Sequence, residues 1–397
     1  MKKIILIGLL WLSVSEIALA QTRVVTSINV EKPGFLKLIP NQDNQYDLWI
    51  SSFSMFGGGK VQNISLTGDV FDLHESDVNL ISEAIDWPNE ITPIPEHIFG
   101  KGYFAVASGF LVPGRSTGSI YILDSNTGIA REISEKKRGY FYHKVIWFDI
   151  NGDGRLDIVS ARAKKPIIGA TDGELVWFEQ PINTDDIWRE HLIAKGPDVN
   201  FLIEDLDGDG NIEILATEFF EKKLSIISRV GDTWEKRTLD DTLGSAFDIE
   251  LVDINGDGKD DLLVTNHEGD EKAAVFAYEI PADLQKPWPR HTLIDGIVTE
   301  NFGIKQASPG SAFAITMPKE ESQGLKPGIV FGGDGSTKVH YLKPLSSETR
   351  DWNYSEEILV DTNSTIGTLA AGDVNGDGRV EIFAPAYDDS RIYIISL

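Results

Sequence analysis

The sequence predicts an all-β chain folded as a seven-bladed β-propeller, on three observations. An acidic, glycine-punctuated string recurs four times, each copy running into a short apolar segment. The intervals between those segments fit seven units, and a second, tryptophan-led pattern recurs in step with them. About four strands per unit with no helical period is the signature of blades that close radially.

The four strings are Asp149-Ile150-Asn151-Gly152-Asp153-Gly154-Arg155-Leu156-Asp157, Asp205-Leu206-Asp207-Gly208-Asp209-Gly210-Asn211-Ile212-Glu213, Asp253-Ile254-Asn255-Gly256-Asp257-Gly258-Lys259-Asp260-Asp261 and Asp373-Val374-Asn375-Gly376-Asp377-Gly378-Arg379-Val380-Glu381. Oxygen side chains at positions 1, 3, 5 and 9 can converge on one hard cation. Position 7 (Arg155, Asn211, Lys259 or Arg379) lends its carbonyl, and glycines at 4 and 6 permit the left-handed turning. The chemistry this donor set selects is Ca²⁺, about four ions in all. Only the 205 string has a carboxylate at all four side-chain offsets.

An EF-hand reading fails, because it needs a bidentate Glu at position 12 and a helix beyond it. Position 12 here is Ser160, Ala216, Val264 or Ala384. Position 9 instead opens Asp157-Ile-Val-Ser-Ala161, Glu213-Ile-Leu-Ala-Thr217, Asp261-Leu-Leu-Val-Thr265 and Glu381-Ile-Phe-Ala-Pro385, which read as buried inner strands.

Position 9 falls at 157, 213, 261 and 381, giving intervals of 56, 48 and 120 residues, the last covering two units. The unit without a cage is placed at Pro327–Gly333, with the strand Lys338–Leu342 after it. Upstream, Tyr103–Gly109 and Asp47–Ser52 fill the same slot. The latter keeps Asn41, Asp43 and Asp47 at offsets 3, 5 and 9 but has Ile39 at offset 1, a remnant for which weak or absent affinity is expected. Trp188-Arg-Glu-His191, Trp234-Glu-Lys-Arg237 and Trp288-Pro-Arg-His291 open outer strands, with Trp352 and Trp87 opening looser versions.

These strings resemble the FG-GAP (VCBS-type) repeats of the integrin α-subunit headpiece. Gly367-Thr-Leu-Ala-Ala-Gly-Asp373-Val-Asn-Gly-Asp-Gly378 is close to that pattern, with Phe56-Gly57, Phe99-Gly100, Phe302-Gly303 and Phe331-Gly332 as echoes of the Phe-Gly pair. The resemblance covers four units by motif. It implies a Ca²⁺ in the loop joining the first two strands of a blade, at positions 1, 3, 5 and 9 of each string. Some propellers of this type are polysaccharide lyases or sugar dehydratases.

The first residues read as an export leader: Lys2 and Lys3, an apolar stretch from Ile4 to Val14, and Ala18-Leu-Ala20 before Gln21. The expected product is secreted, or periplasmic in a bacterium, with residues 21–397 forming one propeller. No later apolar run approaches the ~18 residues of a membrane helix. The chain has no cysteine, which excludes disulfide stapling and leaves bound metal to hold long loops. A formal charge of −26 argues against nucleic acid and anionic membrane surfaces, and four Ca²⁺ would bring it to −18.

Other motifs carry less. Gly114-Arg115-Ser116-Thr117-Gly118 matches a nucleophile elbow but joins two strands, where the elbow needs a strand then a helix. Gly332–Lys338 reads as a hairpin turn, not a phosphate loop. His191 and His291 share one repeat position, so a structural role is expected. His143 and His267, each six residues from a cage carboxylate, are placed in blade-end loops.

The leading expectation is a monomeric, calcium-stabilised binding module for an extracellular glycan or protein. A lyase or dehydratase, with a base and cation drawn from His143, Lys144, His267 or Arg115, is one alternative, and a pure scaffold another. Closure of the ring is expected from Val24–Val30 pairing with the strand around Arg391–Ser396.

Overall fold

A computed structural model describes residues 25–397 except 42, 44, 55–56, 111–116, 135–136, 167, 270, 301–306, 317–323 and 325, and side chains 137–138. Seven four-stranded antiparallel sheets form seven blades, each numbered here in chain order. Their first strands are Pro33–Pro40, Pro88–Pro93, Tyr140–Phe148, Phe201–Glu204, Ala246–Val252, Ala312–Ile315 and Ala370–Gly372. All seven blades contribute residues in or next to these strands to one central cavity, so the first strands are innermost.

The segments after the cages are therefore second strands, not inner ones. They are Asp157–Lys164, Glu213–Glu218, Asp261–Asn266 and Glu381–Ala386, and their equivalents without a full cage are Tyr46–Phe53, Tyr103–Ser108 and Gly328–Gly332. They are buried along nearly their whole length, which explains why their composition reads as interior. The first strands border a channel and are only partly buried.

Every sequence-placed unit coincides with a blade, including the cage-less one at Gly328–Gly332. Outer strands follow Trp188, Trp288 and Trp352 and contain Trp234. Trp87 departs from the expectation: it precedes the innermost strand of blade 2, at a positive φ of 48°, and its Nε1 donates to Ser54 O at 2.6 Å. The outer strand of blade 1 is instead Asn79–Ser82.

The hydrophobic core is split into seven clusters, each lying between two neighbouring blades. Blades 7 and 1 share the cluster holding Ile28, Val30, Leu36, Ile50, Phe383 and Ile394. Blade 7 takes its outer strand from the start of the chain, Val25–Asn29, which pairs with Arg391–Ser396 as expected. The inner edge of this seam is tight. Gly367 has no room for a side chain, since a Cβ there would lie 2.0 Å from Gly34 O.

Helical structure among the described residues is confined to short turns such as Glu96–Phe99 and Val70–Asp72. None is long and apolar enough to cross a membrane. The Gly332–Lys338 stretch is a hairpin connection, with Gly333 N donating to Lys338 O at 2.8 Å. Arg115 and Ser116 lie outside the described residues.

Candidate functional site

Two constellations stand out, the acidic loops and the central channel. In the loops beginning at Asp149, Asp253 and Asp373 the position 1 carboxylate turns inward and accepts from the backbone. Asp253 Oδ1 takes the N–H groups of Gly256 and Asp257 at 2.7 and 3.1 Å, and its Oδ2 takes Gly258 N at 2.8 Å. Asp149 and Asp373 repeat this pattern. Position 3 accepts from the position 5 N–H, and position 5 from the position 7 N–H, in each of the three. Glycines at positions 4 and 6 hold φ of 75–88° in these loops, as the wrapping requires.

Position 9 is buried in all four loops: Asp157, Glu213, Asp261 and Glu381. Burial, reinforced by the neighbouring cage carboxylates, pushes Asp157 up to about 6 and Asp261 and Glu381 up to about 7, and raises Glu213. The side chains at positions 1, 3, 5 and 9 thus offer only oxygen donors to a hard cation. Within these loops two buried carboxylate oxygens, Asp157 Oδ2 and Asp205 Oδ1, have no hydrogen-bond partner. The 205 loop also brings one oxygen each of Asp205, Asp207 and Asp209 within 4.8 Å of one another. An oxygen-preferring divalent cation fits this chemistry, with Asp149, Asn151, Asp153 and Asp157 and their counterparts as side-chain ligands. In the 149 loop the guanidinium of Arg155, at position 7 of the same loop, forms an ion pair with Asp153. In blade 1, Asp47 Oδ1 is engaged by Asn41 Nδ2 and Ser65 Oγ, so the remnant satisfies its own carboxylate.

The channel was not legible as a motif. In a regular strand successive side chains face opposite sides, yet consecutive pairs line the cavity: Asn89 with Glu90 and His143 with Lys144. Register shifts in the innermost strands explain this, between Pro88 and Ile91, between Tyr142 and Lys144, and between Ala246 and Ile249. Such bulges re-aim side chains. The third turns Phe247 and Asp248 toward the axis. His143 therefore sits on a bulged innermost strand, not in a blade-end loop as expected.

The His143 ring meets Phe35 of blade 1 and Phe247 of blade 5 edge to face, each at 5.9 Å, so rings from non-adjacent blades touch across the channel. The chain of rings extends through Phe53 and Tyr387 on one side and His267 and Phe219 on the other. Phe53, Phe219, His267 and Tyr387 all stand six residues after position 9 of their units, a regularity the sequence contains. His267 is fixed by Nδ1 donating to Pro309 O at 2.9 Å, with Nε2 3.4 Å from Asp334 Oδ2.

Beside the rings lies a cavity of about 280 Å³. Its charged groups are Lys37, paired with Glu90 at 2.5 Å, Lys144, and Asp248, which accepts from Asn200 Nδ2 at 2.7 Å. Glu250, deeper on the same strand, accepts from Ala314 N at 2.8 Å. Burial, aided by Lys144, pushes the His143 imidazolium down to about 4, so the ring is neutral at ordinary pH. No hydrogen bond engages its nitrogens among the described residues.

His191 and His291 behave as their repeat position predicts. His191 stacks on Trp177 at 4.2 Å and contacts Glu179; His291 stacks on Trp352 at 4.1 Å and contacts Glu279. Buried His340 is held between Ser336 and Glu356.

The family model for the FG-GAP-like repeat matches residues 167–264, which span blade 4 and the cages at 205 and 253. No curated protein matches the chain. Among solved structures it is similar to one titled "Crystal structure of glucose dehydrogenase", at 10% identity over 78% of this chain and 96% of that one, with a TM-score of 0.43. A likeness that loose has no bearing on activity. The chain is thus a β-propeller of seven four-stranded blades that carries an FG-GAP-like repeat over residues 167–264.

Proposed function

We propose that the protein is an exported, calcium-stabilised binding module whose channel mouth holds one sugar residue of an extracellular glycan. The observation that carries this reading is the His143 ring held between Phe35 and Phe247 across the channel, over a cavity lined by Lys, Glu, Asp and Asn side chains. Sugars are recognised by such a mixture, aromatic faces for C–H surfaces and fixed polar groups for hydroxyls. At about 280 Å³ the cavity falls just below the roughly 300–1,000 Å³ range of small-molecule pockets, which suits one ring rather than a chain. Calcium in the four loops supports the scaffold, where disulfides cannot.

Titration calorimetry of the Ca²⁺-loaded protein against a panel of monosaccharides and short glycans tests the reading. Binding should weaken at least about tenfold in Phe247→Ala, the loss of one stacking ring. Retained affinity in that variant, or binding of a protein ligand with no sugar bound at all, overturns it.

One observation favours an enzyme as a second reading. His143 is neutral, without a hydrogen-bond partner among the described residues, and next in sequence to a lysine, as a general base beside a cation would be. A lyase reaction would appear as growing ultraviolet absorbance from a double bond conjugated to a carboxylate, and would vanish in His143→Ala.

A further inference from the structure

The cavity's charges are unequally satisfied. Glu90 is paired with Lys37 at 2.5 Å. Asp248 accepts from Asn200 at 2.7 Å, and Glu250, two residues further along and outside the lining, accepts from a backbone N–H at 2.8 Å. Lys144 lines the same cavity, and no hydrogen bond or ion pair engages its Nζ among the described residues. Its position is fixed from behind, because Ser160 Oγ donates to its carbonyl at 2.6 Å and the bulge at His143 sets its direction.

An ammonium held inside a cavity without a contact acceptor is poorly solvated, and an anionic group that reaches it gains a charge-assisted hydrogen bond. The flanking acids oppose an incoming anion only weakly. Burial raises the carboxyls of Asp248 and Glu250 against the pull of Lys144, and Glu90 is in contact with Lys37, with Lys144 acting on it only from a distance. Neutral His143, one residue away, adds no charge but offers a nitrogen to a hydroxyl.

From this asymmetry we infer that the sugar bound at the channel mouth is an acidic one, its carboxylate seated on Lys144 Nζ and its ring against His143. The inference rests on the channel-mouth reading above and adds the ligand's charge. Discrimination then comes from a single lysine, so a uronic acid should bind at least about tenfold tighter than the neutral hexose of the same configuration, the scale of one hydrogen bond to a charged group.

The experiment compares glucuronate, galacturonate, glucose, galactose and acetate on the Ca²⁺-loaded protein, in wild type, Lys144→Gln, Lys144→Arg and Phe247→Ala. The expected result is uronate preference in wild type, its loss in Lys144→Gln with neutral hexose affinity kept, and partial retention in Lys144→Arg. Acetate should bind far more weakly than either uronate. Equal affinity for uronate and hexose, unaffected by Lys144→Gln but sensitive to Phe247→Ala, overturns the acidic-sugar inference and leaves the site standing. Acetate competing as well as uronate overturns the sugar component. Absence of binding to every probe overturns both readings, provided the variants melt as the wild type does.

Discussion

Val25 lies opposite Ile395 in an antiparallel pair, so the first described strand of the chain is the outer strand of its last blade. Ile28 and Val30 are buried in the cluster that joins blades 7 and 1, and Val30 N donates to Ser390 O at 3.1 Å. Neither end of the chain completes a blade alone.

Removing residues 21–30 should therefore open the ring. The strand Arg391–Ser396 would become an unpaired edge, and unpaired edges recruit other chains. The expected outcome is loss of monomer by size-exclusion chromatography and loss of the cooperative melt. A monomeric deletion variant with the wild-type melting temperature would show that the seam is held elsewhere.

Chelation should lower the melting temperature. A cation bound only by the native state stabilises by about 2.7 kcal/mol per site at a hundredfold excess over its Kd. The buried position 9 carboxylates Asp157, Asp261 and Glu381 would face their cage neighbours uncompensated once metal is removed. Calorimetric melts with and without EDTA, with metal content verified, check this; superimposable curves would contradict it.

The four loops should bind unequally. Asp205, Asp207, Asp209 and Glu213 give the 205 loop four carboxylates, and Asp205 Oδ1 is buried without a partner. At 149 the cage has three, and Arg155 already draws on Asp153. Asp209→Ala should remove one site by Ca²⁺ titration and cost more stability than Asp153→Ala, by roughly 1 kcal/mol or more. The reverse order would mean that loop rigidity outweighs charge.

Stability should also depend on Glu250. Burial, with Asp248 adding, pushes its carboxyl from 4.5 up to about 7, against the Ala314 N–H and Lys144. The folded state thus holds a proton that the unfolded chain releases, so this group's contribution falls as pH rises from about 4.5 to about 7 and is level beyond. Glu250→Gln should raise the melting temperature above pH 7 relative to wild type, with the difference shrinking toward pH 4.5. A constant offset across that window would assign the effect to packing rather than to the proton.

The blade count, the four acidic loops and the seam are all legible along the chain. Each is carried by short-range information: acidic groups within nine residues, units at a steady period, and an alternating β-branched strand near the start of the chain. The same locality caused the errors. The second strands looked innermost because they are buried along nearly their whole length between neighbouring blades, deeper than the strands that border the channel. Trp87 looked like an outer-strand opener because its neighbours in sequence cannot reveal that it hydrogen-bonds Ser54 and starts an inner strand. Only the tertiary structure decided the channel site. Phe35, Glu90, His143, Lys144, Phe247 and Asp248 come from four different blades, and three bulges override the period-two alternation that would have pointed half of them away from the axis. A register shift is set by how whole strands pack around a closed ring, and no nine-residue window contains it.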